Sequence, residues 1–236
     1  MKFLSRFVLV LLLASLFAVP TAAAIELTPH RAEYKVKILV ISGQLNTELK
    51  ATDSGYIATH VIKPTGMTRM LTRGTMKVMS EFKTEEDGIK PLTYHAVDTV
   101  LDEPETHITF DWSTNQASGT VGEEEVLLQL DGISHDAVSI QYELMHDLLN
   151  GGPSSTYVLF DVDKMRVANV RNIGTKMVKT KAGNFEVVGI QHQKEGSSRL
   201  TTLWCSPVLG YLPVIIEQHR NGKLRFRATL TNYTPI

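Results

Sequence analysis

The sequence predicts an all-β fold, mainly antiparallel: a single strongly curved sheet, or an open or closed β-barrel, with one short α-helix at about 136–150. Three observations support this prediction. Apolar and polar residues alternate with a period of two through most of the chain, as in half-buried antiparallel strands. Turn residues separate the alternating segments at short intervals. One segment just past the middle of the chain has helical spacing instead.

The first 24 residues form a segment of a different kind. Two basic residues precede an almost wholly apolar run at 7–19, and a proline and small residues follow it. This arrangement is typical of a secretory signal peptide cleaved near Ala24, because the apolar run is short for a membrane span. An uncleaved N-terminal anchor is the alternative. We therefore expect an exported protein whose mature chain, 25–236, is a single β-barrel-like domain without a transmembrane segment.

Alternation of apolar and polar residues begins soon after the first 24 residues. It is clearest at residues 34–40, 45–51 and 107–112, and we expect about ten to twelve strands. Asn-Gly and Asp-Gly supply the positive φ angles that two-residue hairpins require. Turns that fit hairpins lie at Asp87-Gly88, Ala182-Gly183-Asn184 and Asn221-Gly222.

The helical segment spans residues 137–150, where apolar residues recur at close to helical spacing. Ser134 or Asp136 is the candidate cap at its start, and a Gly-Gly-Pro sequence ends it. We expect a helix of three to four turns that plugs or covers the open end of the sheet. The alternative is that this helix moves when a ligand enters.

Composition and motifs exclude several classes of protein. The 24 basic and 25 acidic residues nearly balance, so the chain has no global basic field for nucleic acid, and 43% hydrophobic residues exclude a disordered chain. The single Cys excludes an intrachain disulfide and a four-cysteine zinc site. The eight His residues are scattered, and His192 and His219 are the pair that neighbouring strands would bring together, although isolated His residues on strands are usually structural. No hydrolase elbow, phosphate loop or dinucleotide fingerprint is present, so we predict no catalytic residues, no metal site and no cofactor.

The last hairpin supplies the candidate ligand site. If Asn221-Gly222 forms a two-residue turn, Glu217 lies opposite Phe226. The apolar face that carries Phe226 must face inward, so Glu217 and His219 should face inward with it. An ionised carboxylate there needs a partner, and Arg199 in the preceding strand is the candidate. We therefore predict Arg199, Glu217 and His219 as ligand-binding residues, with a structural core salt bridge as the alternative.

The opposite face of this hairpin is predicted to be a basic stripe. It consists of Arg220, Lys223, Arg225 and Arg227. A solvated surface is the simplest interpretation, and docking of an anionic partner or of lipid head groups is the alternative.

The C-terminal region resembles a known family. Residues 199–204, 209–214 and 216–217, followed by the Asn221-Gly222 turn, are similar to the C-terminal signature of the 3108 domain-of-unknown-function family. Matching pieces upstream are Gly88 with Pro91 and Tyr94, and Thr180 with Gly183 and Phe185. The resemblance covers about residues 34–230, although Ile215 stands where the family pattern has a basic residue. It implies an exported, mostly periplasmic Gram-negative protein with a curved β-sheet and with no assigned activity or catalytic residues.

Two functions follow as expectations. The first is a periplasmic, non-enzymatic binding or carrier protein for an apolar or amphipathic cell-envelope molecule such as a lipid, because barrel mouths are common ligand sites. The second is a scaffold or adaptor with a packed core, whose partner is another envelope protein. An enzyme of unrecognised type is a third alternative.

Overall fold

The computed structural model of the protein describes residues 25–38, 41–71, 73–161 and 164–236. The predicted signal peptide at 1–24 lies outside the described residues. Within them, fifteen strands form one sheet. The elements are β1 His30–Ile38, β2 Ile41–Thr52, β3 Gly55–Pro64, α1 Thr68–Leu71, β4 Met76–Glu85, β5 Gly88–Asp98, β6 Glu103–Asp111, β7 Gln116–Val121, β8 Glu124–Gln129, β9 Ser134–His135, α2 Ser139–Leu149, β10 Thr156–Asp161, β11 Lys164–Lys179, β12 Asn184–Lys194, β13 Arg199–Ser206, a 3-10 helix Pro207–Leu209, β14 Leu212–Arg220 and β15 Lys223–Pro235.

The sheet is a continuous meander. Its strand order is β8-β7-β6-β5-β4-β3-β2-β1-β15-β14-β13-β12-β11-β10-β9. Neighbouring strands are antiparallel except for β9 and β10, which are parallel. The predicted all-β, mainly antiparallel fold is therefore confirmed. The strands outnumber the predicted ten to twelve because some, such as the two-residue β9, are too short to show a period.

Side-chain packing brings the two halves of the strand order together. Phe110 of β6 packs edge-to-face on Phe160 of β10, with ring centroids 6.1 Å apart. These strands lie near opposite ends of the strand order. Ile108, Ala117 and Leu130 complete this buried cluster. The sheet therefore curves so strongly that its ends are in contact through side chains.

The predicted helix is α2, close to the expected 136–150. Asp136 has the predicted capping role, because its Oδ1 accepts hydrogen bonds from the N–H groups of Val138 at 2.7 Å and Ser139 at 2.8 Å. Asn150 follows the last turn and donates its N–H to the carbonyl of His146. Both α1 and the 3-10 helix are too short to produce a helical period in the sequence.

Helix α2 packs inside the curved sheet and contributes to two separate clusters. Tyr142 and Met145 belong to a large cluster with Tyr34 and Phe82, which we call the packed core. Leu144 belongs to a smaller cluster, which consists of Leu144, Tyr157, Leu159, Ala168, Ile190, Leu203 and Cys205. We call the face of the sheet that is turned toward α2 the inner face. The helix therefore divides the interior into two sides.

Two further features of the fold are the burial of the lone cysteine and the length of the helices. Cys205 is buried, and burial raises the pKa of its thiol to about 12. A buried thiol with such a pKa is inert. Among the described residues, no helix has the length and apolar character needed to cross a bilayer.

Candidate functional site

The last hairpin has the predicted turn but not the predicted register. Asn221 and Gly222 have the positive φ angles of 52° and 72°, and His219 pairs with Leu224 as expected. The pairing then skips Arg225, which forms a β-bulge. One extra residue in β15 shifts the pairing beyond the bulge by one position, so the predicted partners no longer lie opposite each other.

The bulge reverses the orientation predicted for Glu217. This residue pairs with Arg227 instead of Phe226. Its Oε1 forms an ion pair with Arg227 Nη2 at 2.9 Å, and its Oε2 accepts a hydrogen bond from Trp204 Nε1 at 3.2 Å. Both chain neighbours of Glu217 line a cavity on the inner face, so Glu217 itself lies on the outer face. The predicted inward orientation and the predicted pairing with Arg199 are therefore wrong.

The three predicted site residues lie on two faces of the sheet. Arg199 pairs directly with Arg220 across β13 and β14, and both line a groove on the inner face. His219 pairs with Leu200 and shares the outer face with Glu217, two residues away along β14. The structure therefore separates Arg199 from the other two. It also corrects the predicted basic stripe, because Arg220 belongs to the inner groove.

The groove, which we call the basic groove, has a volume of about 520 Å³. Four of its lining residues are cationic and one is acidic. It is lined by Asp161, Arg166, His192, Lys194, Gly196, Ser197, Ser198, Arg199, Thr201, Gln218 and Arg220.

Asp161 neutralises part of this charge. Its Oδ2 lies 2.6 Å from Arg166 Nε, and its Oδ1 lies 2.9 Å from Lys194 Nζ. Burial raises the pKa of Asp161, but the hydrogen bonds from Lys194 and Arg166 outweigh it and hold the pKa below its usual value. The carboxylate is thus ionised and shared by two cations. Arg199 and Arg220 have no ion-pair partner among the described residues.

A second cavity, which we call the chamber, lies between α2 and the inner face of β10, β13 and β14. Its volume of about 340 Å³ falls within the range of roughly 300–1,000 Å³ that is usual for small-molecule sites. Most of its wall is apolar. The apolar lining consists of Tyr94, Ala137, Ile140, Leu144, Leu159, Phe160, Leu203 and Ile216.

The chamber adjoins the basic groove. Five residues line both: Asp161, His192, Lys194, Thr201 and Gln218. Burial, with a smaller contribution from the charge of Lys194, lowers the pKa of His192 to about 4. At neutral pH this imidazole is therefore uncharged and offers one donor and one acceptor at the boundary. The two cavities together form a site with a cationic mouth and an apolar interior.

Besides the five residues shared with the groove, the polar side chains of Thr106, Asp136 and Gln141 line the chamber. Burial raises the pKa of Asp136, which accepts a hydrogen bond from Ser80 Oγ at 2.6 Å in addition to capping α2. This carboxyl group is therefore structural. Gln141 differs, because its buried Nε2 has no hydrogen-bond partner within the described part of the chain. An unpaired donor of this kind is satisfied when a polar atom occupies the chamber.

Most residues of this site were not predicted from the sequence. The charged and polar residues of the groove come from the five strands β10–β14 and the turn between β12 and β13, and no local pattern connects them. The direct pairing of Arg199 with Arg220 was the detectable signal, because the β13–β14 register brings the two arginines side by side.

A group of possible metal ligands lies on the outer face, away from these cavities. His95 and His107 are paired across β5 and β6, and their rings stack with centroids 3.8 Å apart. Glu105 Oε1 lies 2.7 Å from His95 Nε2 and 2.9 Å from His107 Nε2. Sequence patterns do not predict this group, because the proximity of its residues depends on the β5–β6 register.

Comparisons with known proteins agree with the fold. A solved structure described as a β-barrel-like protein of domain of unknown function DUF1849 from Brucella abortus is similar to this chain, with a TM-score of 0.60 and 14% identity over 90% of this chain and 100% of that chain. At this identity the likeness shows the fold alone. The comparison with curated proteins finds no match. The family model described as Protein of unknown function (DUF3108) matches residues 31–229, so the chain belongs to that family, as the resemblance predicted.

Proposed function

We propose that the protein is a non-enzymatic binding or carrier protein for an amphipathic molecule of the cell envelope. The observation that carries this proposal is the mainly apolar chamber, which adjoins a polar groove and shares five lining residues with it. Ligand sites are typically concave and mostly apolar, with a few polar groups that orient the ligand. The chamber offers the apolar enclosure, and the groove and Gln141 offer the polar groups.

The alternative function, a scaffold with a packed core, has less support. A scaffold needs no interior space, because its exposed face carries the function. One side of α2 is filled by large side chains such as Phe82 and Tyr142, but the chamber on the other side is not filled. This space favours a carrier.

Export is part of the proposal, since an envelope ligand requires it. The predicted signal peptide supports export to the periplasm. The intact mass of the exported protein tests it: the chain should begin at Ile25 or within two residues of it. A mass that still includes residues 1–19 would contradict export with cleavage.

Uptake of an apolar fluorescent probe tests ligand binding. Delipidated protein should bind N-phenyl-1-naphthylamine with enhanced fluorescence. Ile140 lines the chamber from α2, so Ile140→Trp should fill part of the space and weaken binding. Leu127→Trp is the matched control, because Leu127 is 68% exposed on β8. Failure of the wild-type protein to bind the probe would contradict a carrier function.

A further inference from the structure

We propose that the ligand is an anionic amphiphile, whose carboxylate or phosphate head group lies between Arg199 and Arg220 and whose chain enters the chamber. This inference rests on the proposed function and adds the chemical class of the ligand. It follows from the register of two strands and from the charge of the groove.

Two neighbouring strands carry the same gradient from charge to apolar surface. Along the inner face of β13 the order is Arg199, Thr201, Leu203, and along β14 it is Arg220, Gln218, Ile216. The gradients are in register, because each residue of one series pairs directly with its counterpart in the other. At about 3.3 Å per residue, the arginine pair lies about 13 Å from the apolar pair. The wall thus has one axis, with a charged end and an apolar end.

The arginine pair is unfavourable by itself. Like charges directly opposite each other on antiparallel strands destabilise a sheet, because the Cβ atoms are only about 5 Å apart. No carboxylate among the described residues forms an ion pair with Arg199 or Arg220. An anion placed between two guanidinium groups removes this repulsion. Guanidinium groups also match carboxylate and phosphate oxygens in bidentate geometry.

The rest of the groove favours an anion over a cation or a zwitterion. Asp161, the single acidic residue of the groove lining among those described, is already held by Arg166 and Lys194. It is therefore not available to an ammonium group. A quaternary ammonium head would instead meet two uncompensated positive charges.

Competition among amphiphiles with the same twelve-carbon chain tests this class. Dodecanoate and dodecyl phosphate should displace N-phenyl-1-naphthylamine at concentrations at least about tenfold lower than dodecyltrimethylammonium does. In the double variant Arg199→Gln/Arg220→Gln this preference should be lost, while binding of the uncharged probe is retained. The matched control is Lys35→Gln/Lys37→Gln, which removes two exposed cations from β1.

The outcomes separate the inference from the proposed function. If the wild-type protein does not bind the probe, the carrier function is wrong. If it binds the probe but shows no preference for anionic competitors, or if the arginine double variant keeps the preference, the carrier function stands and the anionic class is wrong. If inorganic phosphate competes with dodecyl phosphate at equal concentration, the acyl chain adds nothing and the amphiphile class is wrong.

The geometry also points to a separate metal site on the outer face, formed by His95, Glu105 and His107, for a divalent transition metal of the zinc type. The three ligand atoms all lie within 4.8 Å of one another. Two imidazoles and one carboxylate are a ligand set of open zinc sites, in which water takes the fourth position. This inference is independent of the cavities.

Only small movements are needed to admit the ion. Ligand atoms about 2.0–2.1 Å from a tetrahedral zinc ion are about 3.3 Å apart, compared with 2.7 and 2.9 Å for the hydrogen bonds of Glu105. The side chains of His107 and Glu105 are 56% and 54% exposed, so they are free to make this adjustment. The paired backbone of β5 and β6 holds the two His residues in place.

Calorimetric titration with Zn²⁺, on protein without a polyhistidine tag, tests the metal site. One ion should bind per chain, and His107→Ala should weaken binding at least about tenfold, since loss of outer-shell partners alone costs that much. His219→Ala is the matched control, because His219 is an outer-face His on β14. Absence of stoichiometric binding, or equal effects of the two variants, would rule out the site.

Discussion

The two sides of α2 show how one curved sheet accommodates both a solid core and a cavity. On one side, aromatic rings fill the space: Tyr142 stacks on Phe82 at 5.4 Å, and Phe82 stacks on Tyr56 at 5.7 Å. On the other side, Leu144 packs in a cluster with Leu159 and Leu203, and Tyr94 and Phe160 line the chamber without filling it. The backbone is mainly antiparallel sheet on both sides, so the placement of the side chains accounts for the difference.

Polarity differs across the helix as well. The packed core draws on β1–β5, β12, β14 and β15, and polar side chains buried in these strands, such as His30, Thr47 and Ser80, are uncharged at neutral pH. On the chamber side, β13 and β14 end in Thr201, Gln218, Arg199 and Arg220 on the inner face. Charged groups are not buried in a core without partners, so these strands must leave the groove open to water or to a ligand. The position of the arginines therefore determines where the interior is open.

The largest expected effect is the difference in stability loss between a substitution on the packed side of α2 and one on the chamber side. Phe82 is 0% exposed, so Phe82→Ala should lower the free energy of unfolding by about 3–5 kcal/mol. Ile216→Ala should cost less, about 1–2 kcal/mol, because Ile216 is only half-buried and already borders a cavity. Urea denaturation measures both. Equal losses would show that the two sides are packed alike.

The second prediction concerns pH and the packed side. Glu143 of α2 is 5% exposed, and its Oε2 accepts the N–H of Ile89 at 2.6 Å. It also closes over Gly88, where an added Cβ would lie 2.6 Å from Oε1. Burial raises the pKa of Glu143 to about 7. Because this pKa is raised on folding, its contribution to stability is present at pH 4.5 and is lost as the pH rises through 7.

Replacement by an uncharged isostere isolates this effect. The free energy of unfolding of Glu143→Gln, taken relative to that of the wild-type protein, should be higher at pH 8 than at pH 5 by about 1–3 kcal/mol. Thermal melts of both proteins at the two pH values give the difference directly. A difference that does not change with pH would mean that Glu143 is ionised throughout.

The third prediction concerns the outer face and is the smallest. Glu217 was expected to be inward and paired, so its loss would have cost about 3–5 kcal/mol. Its ion pair with Arg227 is instead part-exposed, so Glu217→Gln should cost less than about 1 kcal/mol. Chemical denaturation alongside Arg225→Gln, which should be near neutral, measures it. A loss of several kcal/mol for Glu217→Gln would contradict the observed register.

These cases also show which features the sequence could predict. Alternation and turn residues predicted the strands and hairpins, because both depend on local chemistry. The bulge at Arg225 was not predictable in this way, because β15 pairs with two strands at once. Phe226 must match Ile38 of β1 as well as Gln218 of β14, and the skipped residue reconciles the two registers.

Prediction of the candidate site was limited in the same way, because local position was predictable and strand register was not. Arg199 was singled out by its position in the strand before the hairpin, and the structure places it in the groove wall. Its neighbours Arg166 and Lys194 come from strands whose registers the sequence does not specify. The His95–His107 pair was missed for the same reason. Alternation of apolar and polar residues does not specify strand register. Features that depend on the register of several strands therefore cannot be predicted from it.

The most direct test of the account is native mass spectrometry of the purified protein after incubation with equimolar dodecanoate. The wild-type protein and Leu127→Trp should each carry one bound molecule, and Ile140→Trp should carry much less because its indole occupies the chamber. If all three proteins remain bare, or if Ile140→Trp is occupied as fully as the wild type, the chamber is not the ligand site.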